Sequence, residues 1–395
     1  MFNLNRAYRD ILIISGCFIL YILLSSTIDS VFSAFLFFLI ATTCLFLFYF
    51  STSTQETRKL LLILTMAGIG FTFSEFIALL YYKSFVVNAP DLPRYSYDRT
   101  TYWVEDDELG YRPSPSKLVR ARKEVNGQII YDTEYTFDSN ALRKTRSNPS
   151  AQCSFLFFGG STVFGEGLPD THTLPYQFSQ KLNFNYQVLN FAFHGYGPHQ
   201  MLRYLQIGFV NQLVSNKIAI VFYVFAPDDG LRAAGLTRDY RRGPKYIIQD
   251  GHPIYVGDLS GPGGALNSRT DFIQSGLSLL HSSQLFSLLY GFPEAGNIYY
   301  LDKNIELVTS IFTESQQIIQ KKYNAKFIII LRNNSPVTQK IMDVLKDRGI
   351  LVFDTSELLL QEWNTDYLIA GDNYPNEKAN MEIAAGLANR FGYCQ

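Results

Sequence analysis

The chain has 395 residues, of which 47% are hydrophobic, 17% charged and 15% aromatic, and its 34 Lys and Arg nearly balance its 35 Asp and Glu at a formal net charge of -1. This apolar, aromatic composition excludes a disordered protein, and the near-neutral charge excludes a nucleic-acid binder whose affinity depends on neutralising phosphates. The mean hydropathy of +0.01 is high for a wholly soluble chain, so apolar residues must be concentrated in one part of it.

Three apolar runs lie in the first 82 residues, at about 11–28, 31–50 and 60–82. Each is close to the roughly 20 residues that cross a hydrocarbon core, which predicts a membrane anchor with three transmembrane helices. A cleaved signal peptide is the alternative for the first run, but a second apolar run follows almost at once. Buried core helices are the alternative for the other two, but neither run has polar residues at helical spacing.

Basic residues near the ends of these runs predict the orientation of the anchor. Arg6 and Arg9 precede the first run, Arg58 and Lys59 separate the second from the third, and the remaining short loop carries only Asp29. Because cytoplasmic loops carry the excess of Lys and Arg, the N-terminus is predicted to be cytoplasmic. Three crossings then place the rest of this integral membrane protein on the extracytoplasmic side, either periplasmic or extracellular.

A linker and a small β lead-in are predicted for residues 83–150. Pro, Tyr and charged residues crowd the stretch at 88–99, which is typical of a linker that leaves the membrane. Alternating residues over 128–137 favour β-strands.

An α/β domain is predicted for residues 151–395, because five short apolar segments alternate with helical patterns, as in a parallel sheet with helices on both faces. A region at about 230–300, rich in Gly, Ser, Tyr and Arg, is expected to be an insertion over the cleft. The strands are expected at about 154–158, 188–193, 218–225, 326–331 and 350–353, and the helices at about 174–182, 199–214, 304–322, 337–348 and 376–391.

Three of the predicted strands end in motifs with polar residues: GGST at 159–162, HGYG at 194–197 and APDD at 226–229. Ligands bind at the carboxyl ends of parallel strands, so these motifs should converge on one cleft. Four arginines of the insertion either line a path for an anionic substrate or, as the more ordinary alternative, form a solvated basic face: Arg232, Arg238, Arg241 and Arg242.

Ser161 is the candidate nucleophile. It stands just beyond a strand, after two glycines that let the backbone turn, where a serine can present its hydroxyl at the sheet edge and its own N–H toward an oxyanion. Such turns also occur without any chemistry. The spacing of Gly159 and Gly160 to Gly165 and Gly167 does not give G-x-G-x-x-G, and no G-K-[ST] follows, which speaks against a phosphate-binding loop. We expect neither a cofactor nor a metal ion.

The order of four blocks resembles the SGNH hydrolases, also called the GDSL esterase and lipase superfamily. The family's Gly-Asp-Ser turn is similar to GGST at 159–162, and its glycine after the second strand to NFAFHGYG at 190–197. Its Gly-x-Asn-Asp block is similar to APDD at 226–229, and its Asp-His-Pro-Asn block to DNYPN at 372–376. The resemblance runs from about Ser154 to the end and implies a parallel-sheet, flavodoxin-like sandwich of the SGNH-hydrolase type.

The resemblance also implies roles for single residues. Ser161 would be the nucleophile, the N–H groups of Ser161 and Gly195 would hold the oxyanion, and Asp372 would support the base. The chain departs from the family at two positions, because Asp228 stands where the family has asparagine and Tyr374 where it has the general-base histidine.

Both departures have a cost. A phenol with a pKa of about 10 is ionised to roughly one part in a thousand at pH 7, a deficit of about 4 kcal/mol for a base. An ionised Asp228 about 4 Å from the oxyanion would add repulsion of about 4 kcal/mol, unless the carboxyl group is protonated and donates a hydrogen bond.

Another histidine is the alternative source of the base. None of the five histidines follows His281, but His194 and His199 flank Gly195 and should lie near the cleft. Either could replace the missing base. The structural alternative is that His194 caps the end of a strand and that His199 occupies the first turn of a helix.

Cysteines are few, and only two of the four would face an oxidising compartment. Cys17 and Cys44 fall inside apolar runs, where packing is their expected role. Cys153 and Cys394 would both lie outside the cytoplasm, where a disulfide persists. The sequence leaves open whether these two residues pair.

Two hypotheses for function follow. The first is a membrane-anchored SGNH-type serine esterase or acyl hydrolase that acts on an ester-bearing cell-envelope molecule, such as an acylated glycan. Its partners would be the lipid bilayer and an ester-bearing glycan or lipid substrate, and not nucleic acid. The alternative is a catalytically degenerate SGNH domain that binds glycans or takes part in assembly of the envelope.

The orientation of the anchor can be tested with a topology reporter. A reporter fused after Tyr82 should be active when it requires an extracytoplasmic location, because three crossings follow a cytoplasmic N-terminus. The same reporter fused after Ser51, between the second and third runs, is the control and should report the cytoplasm. Activity of the Tyr82 fusion in the cytoplasm alone would contradict the orientation.

Overall fold

The computed structural model describes residues 30–52, 54–81, 94–97, 102–235, 242–259, 302–332, 336–359 and 364–394. These residues fall into a helical unit and an α/β unit.

The helical unit is a hairpin of helix α1 (Ser30–Ser51) and helix α2 (Gln55–Tyr81). Both are rich in Leu, Ile and Phe, and they pack along their length. The rings of Phe38 and Phe71 lie 4.5 Å apart between their centroids and belong to this contact.

Helix α2 has the length and apolarity of a membrane span. Its segment Gln55–Ala78 has 24 residues and a mean hydropathy of 1.9. Many of its apolar side chains are exposed, and Ile63 is 65% exposed. Among the described residues it is the one helix that meets both criteria, and α1 contributes a shorter apolar stretch at Phe38–Phe50. The first predicted run, at 11–28, lies outside the described residues, so the three-helix anchor stays a prediction.

The α/β unit begins with antiparallel strands and then alternates strands with helices. In chain order its elements are β1 (Arg94–Tyr97), β2 (Trp103–Asp106), β3 (Gly110–Pro113), β4 (Leu118–Val125), β5 (Gln128–Thr136), β6 (Cys153–Gly159), α3 (Ser161–Phe164), α4 (Leu174–Lys181), β7 (Gln187–Asn190), α5 (Pro198–Gln206), α6 (Phe209–Leu213), β8 (Lys217–Phe225), α7 (Pro227–Ala233), β9 (Pro244–Gln249), β10 (His252–Asp258), α8 (Asp302–Tyr323), β11 (Lys326–Leu331), α9 (Pro336–Asp347), β12 (Leu351–Asp354) and α10 (Glu377–Phe391). Short 3₁₀ turns lie at Asp170–His172, Thr355–Glu357 and Thr365–Tyr367.

A parallel sheet of five strands forms the centre of this unit, in the order β7-β6-β8-β11-β12. Numbered along the chain, this is the 2-1-3-4-5 order of flavodoxin-like folds, so the predicted parallel α/β fold is confirmed. All residues of β6 are buried. The strand order reverses between β6 and β8, and ligands bind outside the carboxyl ends of the strands at such a switch point.

Helices cover both faces of the sheet, because alternate side chains of a strand point to opposite faces. Phe157 of β6 packs against Phe178 of α4, with ring centroids 5.3 Å apart. The next residue, Phe158, points to the other face, where its ring centroid lies 6.2 Å from that of Tyr204 in α5. Helix α10 packs beside α4 on the first face, and α8 packs beside α5 on the second.

The residues predicted as a β lead-in form an antiparallel sheet of β1, β4 and β5 and a hairpin of β2 and β3. A two-residue turn at Asn126 and Gly127 joins β4 to β5, as the Asn-Gly pair favours. The ring of Tyr135 in β5 lies 5.0 Å from the ring of Phe164, which follows the candidate nucleophile. This sheet therefore packs beside the predicted cleft.

Part of the predicted insertion forms a separate hairpin of β9 and β10. It packs on α5, because Tyr246 donates a hydrogen bond to Gln206 at 2.7 Å and the Arg203 guanidinium lies 3.7 Å from the ring centroid of Tyr255. Residues 236–241 and 260–301 lie outside the described residues, so an insertion over the cleft stays a prediction.

A disulfide joins Cys153, at the start of β6, to Cys394, beyond α10. Their Cα atoms lie 6.2 Å apart and the two residues are 241 positions apart in sequence. The pairing that the sequence left open is thus present, and it ties the C-terminus to the central sheet. Such a bond persists in an oxidising compartment, which agrees with an extracytoplasmic domain.

Loss of this disulfide should destabilise the protein. Reduction, or the Cys394→Ser substitution, is expected to lower the free energy of unfolding by about 2–4 kcal/mol, because the bond restricts the unfolded chain. Cys44→Ser, at a cysteine of α1 that takes no part in this disulfide, is the control and should not change it. Alkylation followed by mass spectrometry should label Cys153 and Cys394 only after reduction, and labelling of both without reductant would contradict the pairing.

Candidate active site

Two glycines place Ser161 at the carboxyl end of β6. Gly159 has a φ of +148°, and a Cβ at this position would lie 2.7 Å from a methyl carbon of Val163. A Cβ on Gly160 would lie 2.8 Å from Asp229 Oδ1. Larger residues would therefore clash on both sides of the turn. Ser161 begins α3 directly after it and is 8% exposed.

A buried arginine from the lead-in holds the loop that follows Ser161. The Arg143 guanidinium donates hydrogen bonds to the carbonyl oxygens of Phe164 at 2.7 Å, Gly165 at 2.8 Å and Leu168 at 2.5 Å. It also pairs with Asp170 Oδ1 at 3.1 Å. Hydrogen bonds from a charged donor are among the strongest in proteins, so this arginine fixes the shape of the loop.

Ser161 and Tyr374 are in direct contact, as their positions in the first and last blocks predict. The Ser161 hydroxyl donates a hydrogen bond to the phenolic oxygen of Tyr374 at 3.0 Å. The loop that carries Tyr374 is held by its own hydrogen bonds, since Ile369 N–H donates to the Tyr374 carbonyl at 2.9 Å and the Asn376 amide donates to Leu368 at 3.0 Å. The phenol is thus positioned by a folded loop.

The second block lies beside this pair. Gly195 has a φ of +69°, and the chain turns at this residue. The Tyr196 carbonyl oxygen comes close to Gly160, since a Cβ added to Gly160 would lie 3.0 Å from it. The Asn190 amide donates to the Val163 carbonyl at 3.2 Å and so links the end of β7 to α3. Gly195, predicted as an oxyanion donor, therefore follows a strand end that is tied to the nucleophile helix.

In the third block Asp229 points inward, whereas the resemblance had assigned the family's asparagine position to Asp228. Asp228 is exposed, whereas Asp229 is 2% exposed and faces Gly160. The reason is helical geometry, because α7 begins at Pro227 and successive residues of a helix point in different directions. The Asp229 carboxylate accepts the Ala226 N–H at 3.1 Å and so caps the helix.

Arg232 neutralises Asp229. Its Nη1 lies 2.7 Å from Asp229 Oδ1, and both side chains are largely buried. Burial raises the pKa of Asp229 to about 7, while Arg232 and the Ala226 N–H act in the opposite direction. The carboxylate in turn raises the pKa of Arg232 against the effect of burial. Of the other three arginines proposed for an anionic path, Arg242 pairs with Glu105, and the remaining two lie outside the described residues.

Asp372, predicted to support the base, is held by a lysine from the lead-in sheet. Lys123 Nζ of β4 lies 2.7 Å from Asp372 Oδ2, and the two side chains are only 7% and 6% exposed. The other carboxylate oxygen accepts the Asn373 N–H at 2.7 Å. Asp372 therefore anchors the last loop to β4.

The two histidines near Gly195 have different surroundings. His194 lies 2.5 Å from the Glu166 carboxylate, which also accepts a hydrogen bond from Tyr131. Burial, with Arg143 and Arg232 nearby, holds the pKa of His194 well below its usual value.

His199 occupies the first turn of α5, where the structural alternative placed it. It is 1% exposed, and burial with the charge of Arg232 lowers its pKa to about 3. Neither ring nitrogen has a hydrogen-bond partner among the residues that the structure describes.

Arg332 was not anticipated from the sequence, and it bridges the first and last blocks. It follows β11, and its backbone N–H donates to the Phe225 carbonyl at 3.0 Å. Its guanidinium donates to Thr162 Oγ1 at 3.1 Å and to the Asn373 carbonyl. The guanidinium carbon lies 5.5 Å from the ring centroid of Tyr374.

All four blocks thus meet at one cleft at the switch point of the sheet. The sequence identified the candidate nucleophile and the residue that it contacts, but it missed four charged residues that hold them: Lys123, Arg143, Asp229 and Arg332. One signal was present for Arg332, because a lone arginine directly follows an apolar strand whose carboxyl end faces the cleft. Nothing in the sequence linked Lys123 to Asp372.

Comparison with known proteins finds matches among solved structures. No family model and no curated protein matches the chain. The matching structures include a protein assigned to the G-D-S-L family of lipolytic proteins from Desulfitobacterium hafniense, with 11% identity and a TM-score of 0.31 over 60% of this chain and 98% of that one. They also include a carbohydrate acetylesterase from Sinorhizobium meliloti (8% identity, TM-score 0.33, 60% and 98%) and an α/β hydrolase from a Lake Arreo metagenome (12%, 0.35, 62% and 97%).

The role of Arg143 can be tested by its removal. Arg143→Met should lower the free energy of unfolding by about 3–5 kcal/mol, because Asp170 and three carbonyl oxygens lose their donor. Arg120→Met is the matched control and should lower the free energy of unfolding far less, since Arg120 is 71% exposed where it pairs with Asp132. Denaturant unfolding followed by circular dichroism measures both variants. Equal losses would show that the buried contacts of Arg143 do not hold the loop.

Proposed function

We propose that the protein is a serine ester hydrolase of the SGNH type with Ser161 as its nucleophile, since the flavodoxin-like sheet brings the four SGNH-like blocks to one cleft. The observation that carries the proposal is the 3.0 Å hydrogen bond from the Ser161 hydroxyl to the Tyr374 oxygen. A nucleophile within hydrogen-bond reach of a base is the geometric requirement for this chemistry. Tyr374, as a phenolate, is then the base in place of the family's histidine.

The proposed reaction has two halves. In the first, Ser161 Oγ bonds to the acyl carbon while its proton passes to the Tyr374 phenolate, and the N–H groups of Ser161 and Gly195 hold the negative carbonyl oxygen. Tyr374 returns the proton to the alcohol as the ester C–O bond breaks. In the second half, water gives a proton to Tyr374 and attacks the acyl group, and the proton then returns to Ser161 as the acid leaves.

The two other residues of the predicted site have lesser roles in this reaction. Asp228 is exposed, so water screens its repulsion of an oxyanion far more than a buried carboxylate would allow. His199 receives no proton in the proposed steps, because the hydrogen bond of the Ser161 hydroxyl goes to Tyr374.

We also propose that the domain works outside the cytoplasm on a membrane anchor, and that its substrate is an ester-bearing envelope molecule such as an acylated glycan. The apolar helix α2 supports the anchor, and the disulfide between Cys153 and Cys394 supports an oxidising compartment. An anchored domain in that compartment meets envelope glycans and lipids.

A lapsed active site that binds glycans or assists assembly of the envelope is the second candidate. The observation that favours it is the pairing of Asp372 with Lys123, since the acid of the last block is then engaged in anchoring a loop. A phenol that stays neutral is also a poor base.

Labelling with a fluorophosphonate probe and hydrolysis of short p-nitrophenyl esters test the proposal. The wild-type chain should be labelled, and Ser161→Ala should lose both labelling and turnover, whereas Ser150→Ala, at an exposed serine, should lose neither. Tyr374→Phe should slow ester hydrolysis by about 10²–10⁴-fold, because it removes the proton acceptor.

The second candidate predicts a different pattern. A wild-type chain without labelling, together with turnover that appears in a Tyr374→His, Asp228→Asn double variant, would reject the enzyme and support a lapsed site. Labelling of the wild type that is equal in Ser161→Ala would place the reactive group elsewhere.

A further inference from the structure

The charges around Tyr374 come from several elements that converge on the cleft. They stand on the last loop, on α7, at the end of β11 and on the lead-in sheet. Among the residues that the structure describes, the titratable and charged groups concerned are Asp372, Asp228, Asp229, Arg232, Arg332, Lys123 and Tyr111.

The two buried carboxylates of this set each have a cation of their own. Asp372 pairs with Lys123 at 2.7 Å, and Asp229 pairs with Arg232 at 2.7 Å. Each pair is close to neutral as a unit, so its effect on a neighbouring charge falls off rapidly with distance. Asp228 is exposed, and water screens it.

Arg332 differs from these residues, because the hydrogen bonds of its guanidinium go to neutral oxygens. They are Thr162 Oγ1 at 3.1 Å and the Asn373 carbonyl. Its backbone is held by the Phe225 carbonyl at 3.0 Å and by the Thr355 hydroxyl at 3.2 Å. The positive charge of Arg332 is therefore fixed 5.5 Å from the ring centroid of Tyr374.

We propose that Arg332 stabilises the phenolate form of Tyr374 and so makes this tyrosine a usable proton acceptor near neutral pH. The inference rests on the proposed function for its purpose, although the effect on Tyr374 is a property of the site itself. An opposite charge within about 4–6 Å favours the ionised form of a group and shifts its titration by about 1–3 units. Arg332 is a positioning residue in this account, since it acts through Tyr374.

Lys123 has a related part in the same charge balance. A carboxylate that helps a histidine base, by stabilising an imidazolium, would oppose a phenolate through like-charge repulsion. The Asp372 carboxylate is two residues from Tyr374, and Lys123 compensates its charge. With Asp372 paired to Lys123, a cation, Arg332, stands 5.5 Å from the ring centroid of the tyrosine that is proposed as an anionic proton acceptor.

An ultraviolet difference titration of the full chain in detergent measures this effect without any turnover. The absorbance of the wild type minus that of Tyr374→Phe isolates one tyrosine among the 26 in the chain. Arg332→Gln should raise the titration midpoint of Tyr374 by about one unit or more, because the phenolate loses a cation 5.5 Å from its ring centroid. Arg332→Lys should retain most of the wild-type midpoint, and Arg120→Gln, at an exposed pair, should leave it unchanged.

A second set of variants keeps the test decisive if Arg332→Gln does not fold by circular dichroism. Lys123→Met leaves Asp372 uncompensated and should raise the midpoint, and Lys123→Met combined with Asp372→Asn should return it toward the wild type. A midpoint that stays unchanged in the folded Arg332→Gln variant, or in Lys123→Met when Arg332→Gln does not fold, would overturn the proposal.

The result also separates this inference from the proposed function. If the midpoint moves as expected but Ser161 is never labelled by the fluorophosphonate, the hydrolase proposal fails and the role of Arg332 stands. If Ser161 is labelled and the midpoint does not move, the hydrolase proposal stands and the role of Arg332 is rejected. If both succeed, the pH dependence of labelling should shift to higher pH in Arg332→Gln by the same amount as the titration.

Discussion

The hydrogen bond between the Ser161 hydroxyl and the Tyr374 oxygen joins residues that lie 213 positions apart, and the geometry of the cleft depends on it. Its first partner is fixed by the sheet, since β6 ends at the switch point and two glycines turn the chain into α3. Its second partner is fixed by a loop between β12 and α10 that makes its own backbone hydrogen bonds. A shift of about 1 Å in either partner would weaken the bond, because hydrogen bonds fail beyond about 3.5 Å.

Charge compensation is the second constraint on this cleft. Burying a carboxylate is costly unless a cation and hydrogen bonds satisfy it, and both buried aspartates here have a partner at 2.7 Å. Those partners come from different parts of the chain, Arg232 from the same short helix as Asp229 and Lys123 from a strand 249 residues before Asp372. Among the described residues, Arg332 is a cation beside Tyr374 whose side-chain hydrogen bonds go to neutral oxygens. A cation beside a tyrosine favours its phenolate form, just as a carboxylate beside a histidine favours the imidazolium form.

The antiparallel lead-in helps to form the candidate active site, although the family resemblance begins only after it. Arg143 fixes the loop that follows Ser161, and Lys123 fixes the loop that carries Tyr374. Both are buried cations whose loss would leave polar groups unsatisfied, so the lead-in and the parallel sheet depend on each other for stability. The disulfide adds a covalent restraint at the opposite ends of the strands, from Cys153 to the C-terminus.

Short-range patterns in the amino-acid sequence predicted the local features of this protein. Apolar runs of spanning length, alternation of strands with helices and the glycines before Ser161 are short-range patterns, and they predicted the parallel sheet, its flavodoxin-like order through the resemblance, and the pairing of the first block with the last. Tertiary structure alone decided which aspartate of α7 faces inward, which lysine neutralises Asp372, that Arg332 stands beside the phenol and that Cys153 pairs with Cys394. The physical reason is that helix phase and long-range ion pairs depend on where distant segments pack. Such contacts leave no periodic trace in the amino-acid sequence.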